Sequence, residues 1–160
     1  MILLLLVVSS FMVVRAEETS TVLKATITAV PNAFYGTWRV VSNLVDTDSP
    51  MTFKKQGLDI WNLSRLQNVI TLNNPFNGAN AEISITKVDS NSIVFSKTGK
   101  YGYKVLTDTV ELKLKGGTFS GVDTLQLNTY SDVDGKIIKT ENAKYSITGE
   151  KIAGQSITGD

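Results

Sequence analysis

The sequence predicts an all-β fold, an eight-stranded antiparallel up-and-down barrel, on three observations. Beyond residue 33, apolar and polar side chains alternate with the period of two that a pleated strand imposes, as in Val110/Leu112/Leu114 against Glu111/Lys113/Lys115. The alternating runs are separated by brief turn signals, Ser90-Asn91, Gly116-Gly117 and Asp134-Gly135, so consecutive strands are antiparallel neighbours. No apolar repeat at 3.6 residues runs anywhere after residue 33. A meander of eight strands, each wet on one face, removes its two edges by closing on itself. At that size the interior holds side chains or one small ligand.

Taken in order, the chain opens with an almost purely apolar run from Ile2 to Val14, broken only by Ser9 and Ser10, and ends it with Val14-Arg15-Ala16. Small residues at the −3 and −1 positions of a signal-peptidase site make residues 1–16 a signal peptide cleaved after Ala16, and the expected destination is secreted or periplasmic. The run is shorter than a bilayer-spanning helix requires, and the lack of a Cys after it excludes a bacterial lipid anchor. Residues 17–33 are rich in Thr, Ser, Ala and Val and are expected to be a flexible lead-in. The barrel is expected over 34–150 and a C-terminal tail over 151–160.

Within the barrel, strands are expected at 36–45, 57–64, 68–73, 81–88, 92–98, 103–115, 118–131 and 136–148. Ile83/Ile85 alternates with Ser84/Thr86, Leu125/Leu127/Thr129 with Gln126/Asn128/Tyr130, and Ala143/Tyr145/Ile147 with Lys144/Ser146/Thr148. The inward set built from these patterns is Val40, Leu44, Trp61, Ile83, Ile85, Phe95, Leu112, Leu125, Leu127, Tyr145 and Ile147, the wall of any ligand cavity. Gly36 and Trp38 are expected to form a structural plug: the glycine permits a sharp turn and close backbone approach, and the indole two residues on fills the floor of the core.

Composition removes several function classes. The chain of 160 residues has no Cys and no His, so it forms no disulfide, offers no thiolate or imidazole to a metal, and supports no His- or Cys-dependent nucleophile. Lys and Arg number 16 against 15 Asp and Glu, with no long run of either sign, so nothing points to nucleic acid. A catalyst would need a Ser/Lys pair or two opposed carboxylates in a setting that tunes a pKa, and no stretch shows one. No catalytic residue, metal or cofactor is therefore expected, and the chain is read as a non-enzyme.

Four segments carry competing readings. Asp132-Val133-Asp134-Gly135 lacks the third oxygen ligand and distal Glu of a calcium loop and reads as a hairpin turn. Gly99-Lys100-Tyr101-Gly102-Tyr103-Lys104 mixes aromatics with cations but reads as a tight hairpin with exposed tyrosines. Asp46 to Pro50 reads as a long loop across the open end. Asn62-Leu63-Ser64 is a formal glycosylation acceptor whose place in a strand argues against its use.

Ala33-Phe34-Tyr35-Gly36-Thr37-Trp38-Arg39-Val40-Val41-Ser42 resembles the opening strand of the calycin superfamily, which includes lipocalins, fatty-acid-binding proteins, avidins and some bacterial protease inhibitors. The resemblance covers about ten residues. It implies a barrel whose last strand returns to the first, and a small ligand or a protein partner. Lipocalins usually carry an Arg on the last strand stacked over the Trp; no Arg follows Arg65 here, and Lys139 or Lys144 is the expected substitute. The space from Asp46 to Gln56 is too short for the two helices of the intracellular fatty-acid-binding branch, so the expected form is a lipocalin-like exported barrel. Its expected function is to hold a small apolar or amphipathic molecule in its interior. The alternative is an exported protein-interaction module, inhibitor-like or an envelope accessory, with a packed barrel. Interior volume separates the two.

Overall fold

A computed structural model of the chain describes residue 27 and residues 29–75, 78–154 and 156–158, the last three by their backbone alone. Its strands are β1 (Gly36–Thr47), β2 (Gln56–Leu66), β3 (Val69–Asn73), β4 (Asn80–Glu82), β5 (Ser84–Val88), β6 (Ser92–Tyr101), β7 (Lys104–Lys115), β8 (Thr118–Tyr130), β9 (Ile137–Ala153) and β10 (Ser156–Thr158). They form one sheet in the order β4-β3-β2-β1-β9-β8-β7-β6-β5, antiparallel throughout, with β10 added parallel to β2. The two ends of that order, β4 and β5, are separated in the chain by Ile83 alone. The sheet therefore curls into a nearly closed barrel of nine strands in a meander.

Eight strands were expected, and the difference lies at Ile83. Its backbone N–H donates to the Ile70 carbonyl on the β3 side, while Ser84, next in the chain, pairs with Ser96 of β6. The chain changes partner within one residue, which splits the strand expected at 81–88 in two. Elsewhere alternation governs. In β9, buried and exposed residues succeed one another without a break from Glu141 to Glu150. Pairing of β1 with β9, Val40 opposite Gly149 and Leu44 opposite Tyr145, joins the first ribbon to the last.

One end of the barrel is closed by a floor. Trp38 is 2% exposed, and its indole N–H donates to the Phe34 carbonyl at 2.8 Å. Phe34 belongs to a 3-10 turn, Asn32–Phe34, and Ile27, Val30 and Tyr35 are buried with it. The last part of the lead-in expected over 17–33 is thus packed into the core. Its residues 17–26 and 28, and the signal peptide expected over 1–16, lie outside the described residues. The tail expected over 151–160 also supplies structure: β9 runs on to Ala153, and β10 pairs with residues 64–66 of β2.

That extension corrects the expected partner of the indole. The cation over Trp38 is Lys151, with Nζ 5.1 Å from the ring centroid and donating to the Ala33 carbonyl at 2.9 Å. Lys139 pairs with Glu141 at 2.8 Å, and Lys144 is exposed. The register opposes Trp38 to Lys151, a residue beyond the expected end of the strand. Desolvation by its surroundings lowers the Lys151 pKa.

Gly36 makes this corner possible. Its φ of +126° is a region that side chains rarely adopt, and an added Cβ would lie 2.7 Å from the Ala153 carbonyl oxygen and against that of Gly154. Gly36→Ala is therefore expected to destabilise the fold by about 2–4 kcal/mol, combining backbone strain with overpacking. Urea unfolding checks this; an unchanged midpoint would show that the corner relaxes freely.

Candidate functional site

The lower half of the barrel is solid. Gly149 faces the interior, and Phe119 lies against its bare backbone so closely that an added Cβ would sit 2.7 Å from the ring's Cδ1 and nearer still to Cε1 and Cζ. From there Phe119 meets Trp38 (centroids 5.0 Å, 57° between planes) and stacks near Trp61 (6.2 Å, 24°). The void left among these three rings, Phe34, Leu63, Leu72, Phe95 and Leu112 is about 10 Å³. An apolar space of that size holds nothing larger than one water and gives a water no polar partner.

The upper half is different. A chamber of about 160 Å³ opens there, with Asp59, Trp61, Lys97, Tyr101, Leu106 and Asp108 among its lining residues. Trp61 spans the boundary between the halves: one side of its ring faces Phe119, and its N–H donates to Asp59 Oδ2 at 3.2 Å. Asp59 Oδ1 accepts from the Ile60 backbone N–H and from Asn74 Nδ2, so this carboxylate is held by neutral donors. Asp108 is 4% exposed; Lys97 donates to its Oδ2, and its Oδ1 is buried without a hydrogen-bond partner.

The same register brings in a second carboxylate. Asp108 and Val110 point inward on β7, and Val110 stands opposite Asp123 of β8, which in turn faces Tyr145 of β9. Asp123 Oδ1 is also buried and unpartnered. Desolvation, then the nearby Asp108 charge, pushes the Asp123 pKa from the ordinary 3.8 up to about 7, with Lys97 opposing. Tyr145 rises too, from burial first and the Asp123 charge second. Two interior carboxylates thus share one interior cation, Lys97.

The β1–β2 loop is docked beside this cluster. Phe53 is buried, the Tyr145 hydroxyl donates to the Lys54 carbonyl at 2.8 Å, and Thr52 Oγ1 donates to buried Glu141 at 2.6 Å. Asp48 accepts from the Asn142 backbone and side-chain amides at 2.8 Å each, and the backbone bond leads in holding its pKa below the usual range. The loop expected across the open end therefore lies over its Tyr145 side, fixed to β9.

Among the expected wall residues, Val40, Ile83, Ile85, Phe95, Leu112, Tyr145 and Ile147 are buried in the core, and Leu44, Trp61, Leu125 and Leu127 are partly buried against it. Trp61 alone of that set lines the chamber. Asp59, Lys97, Leu106, Asp108, Phe119 and Asp123 were not in the expected set. Most of them obey the alternation already used: 110/112/114 extended back gives Leu106 and Asp108, and 125/127 extended back gives Asp123 and Phe119.

Asp132 to Gly135 closes the β8–β9 hairpin, with Asp134 accepting from the Lys136 backbone at 3.2 Å, and Tyr101 and Tyr103 are exposed at the β6–β7 turn. Among the described residues no group of three or more acidic side chains is placed to hold a metal ion, and no helix is long and apolar enough to cross a membrane.

Because folding raises the Asp123 pKa, the native state binds more protons than the unfolded chain between about pH 4 and 7, and stability falls as pH rises through that window. Asp123→Asn, which mimics the protonated form, is expected to match the parent near pH 4 and exceed it by on the order of 2–4 kcal/mol at pH 8. Unfolding midpoints at a series of pH values check this; parallel curves for the two proteins would refute it. Comparison of the chain with protein-family models, with curated proteins and with solved structures returns no match, so the fold and the chamber stand on the geometry above.

Proposed function

We propose that the chain is a lipocalin-like, calycin-type binding protein, exported to the periplasm or secreted, that takes a small amphipathic molecule at the mouth of its barrel. One observation carries this reading: a chamber of about 160 Å³ with an indole wall and buried polar groups stands above an aromatic layer that leaves a void of about 10 Å³. Pockets that bind small molecules combine apolar area with a few placed polar groups, and this chamber does so on a small scale. The lipocalin-like assignment draws on the Gly36-Thr37-Trp38 corner and the cation of β9 over the indole. The size of the chamber argues for a short ligand and against a long acyl chain. On this reading the protein is not an enzyme and needs no cofactor.

A second reading, the protein-interaction module, is favoured by the solid lower half and by a shallow hollow of about 680 Å³ on the outer face, where Val41 and Leu58, 71% exposed, stand opposite each other on β1 and β2. A test of it by truncation has to stop short of Ile27, since Ile27, Val30 and Phe34 are core residues.

Titration of the protein with a panel of short aromatic amphipaths, followed by tryptophan emission, separates the two readings. The expected result is a saturable one-to-one change for at least one member, lost in Trp61→Phe, which keeps Trp38 as an internal reference, and lost in Ala81→Phe, which fills the chamber. No saturable change from any member would remove the small-molecule reading and leave the interaction module.

A further inference from the structure

We propose that the mouth chamber selects an organic ammonium ion, its charge set against Asp108 in the chamber lining and its apolar body against the Trp61 ring. The inference rests on the reading of the chamber as a binding site and adds the charge of what it binds.

The chamber's interior charges do not balance. Its lining sets two carboxylates, Asp59 and Asp108, against one cation, Lys97, which is engaged with Asp108 Oδ2; Asp108 Oδ1 is buried and accepts from nothing, and Asp123, behind the lining, has a buried unpartnered Oδ1 of its own. Tyr145, the other titratable group packed against Asp123, donates its hydroxyl hydrogen bond to the Lys54 carbonyl and has none left for Asp123. A buried carboxylate oxygen without a partner is costly, so a second cation with N–H donors is what the site lacks. An anionic ligand would have to draw Lys97 away from Asp108 and leave that carboxylate uncompensated. A neutral ligand would satisfy at most one oxygen and no charge. A bare divalent metal would find two carboxylates and a competing ammonium where it needs roughly six to eight oxygens. The indole face of Trp61 adds an attraction that a cation alone among these can use.

Proton balance follows from the same geometry. With the chamber empty at neutral pH, Asp123 carries a proton in part of the molecules. An ammonium arriving beside Asp108 offsets the charge that helps raise the Asp123 pKa, so it favours the ionised Asp123 carboxylate, and the displaced proton leaves to the buffer. Binding therefore releases protons near pH 7 and strengthens as pH rises to about 8.

The test is isothermal titration calorimetry of the folded protein at pH 7, in buffers of different ionisation enthalpy, with 2-phenylethylammonium, 2-phenylethanol and phenylacetate. The expected result is saturable binding of the ammonium, about tenfold or more tighter than the alcohol, with no measurable binding of the carboxylate. Asp108→Asn is expected to weaken the ammonium by about tenfold or more, and Asp123→Asn to abolish proton release. Lys97→Met, which leaves the carboxylates uncompensated, is expected to bind the ammonium more tightly, an effect that damage to the fold would not produce. Circular dichroism of each variant identifies any that fail to fold, and the remaining variants with the three-ligand comparison then decide. Equal affinity for ammonium and alcohol, or a preference for phenylacetate, overturns the charge inference and leaves the binding reading standing. Absence of binding by all three, together with no change in tryptophan emission across the amphipath panel, removes both.

Discussion

The contact on which the rest of the molecule depends is the Phe119 ring lying on the bare backbone of Gly149. An eight- or nine-strand barrel has a cross-section that one or two large side chains decide. With no Cβ at Gly149, the Phe119 ring drops against β9 and bridges the two indoles, Trp38 on the floor and Trp61 above. Three aromatic groups in series fill the lower barrel, and each buries far more apolar area than an aliphatic residue in the same position. Any space left for a guest is thereby displaced toward the mouth.

Filling one half with rings leaves the polar problem concentrated in the other. Among the inward positions of β6, β7 and β8 above the aromatic layer are Lys97, Asp108 and Asp123, where strict alternation would call for aliphatic residues. Buried carboxylates oppose folding unless paired, and one cation between two of them is incomplete compensation. The docked β1–β2 loop adds to the arrangement by accepting from the hydroxyl of Tyr145, the residue opposite Asp123. A fold that keeps such a cluster in its interior carries a local violation of its own hydrophobic pattern.

Much of this was legible in the residues. The period of two located the strands to within a few positions, and the glycine-bearing hairpin signals ordered them. Gly36 and Trp38 announced the floor. What alternation could not state was where a strand exchanges neighbours, since Ile83 is an ordinary inward residue whose special role comes from its partners on both sides. Nor could it measure the reach of β9: the Lys151–Trp38 contact depends on register across the first and last strands, separated by more than a hundred residues. The interior carboxylates were written into the pattern, yet a scan for apolar alternation stops at the first charged residue. Phe119 fell outside the reading because Gly121 and Asp123 interrupt the apolar face between it and Leu125.

The placement of β10 and the 3-10 turn has a further consequence. Both flanks of the barrel, the segment leading into Gly36 and the segment leaving Ala153, pack at the Trp38 end, while the chamber opens at the opposite pole. Anything tethered through either flank, whether a surface, a neighbouring module or an affinity handle, would therefore leave the vestibule pointing outward and unobstructed.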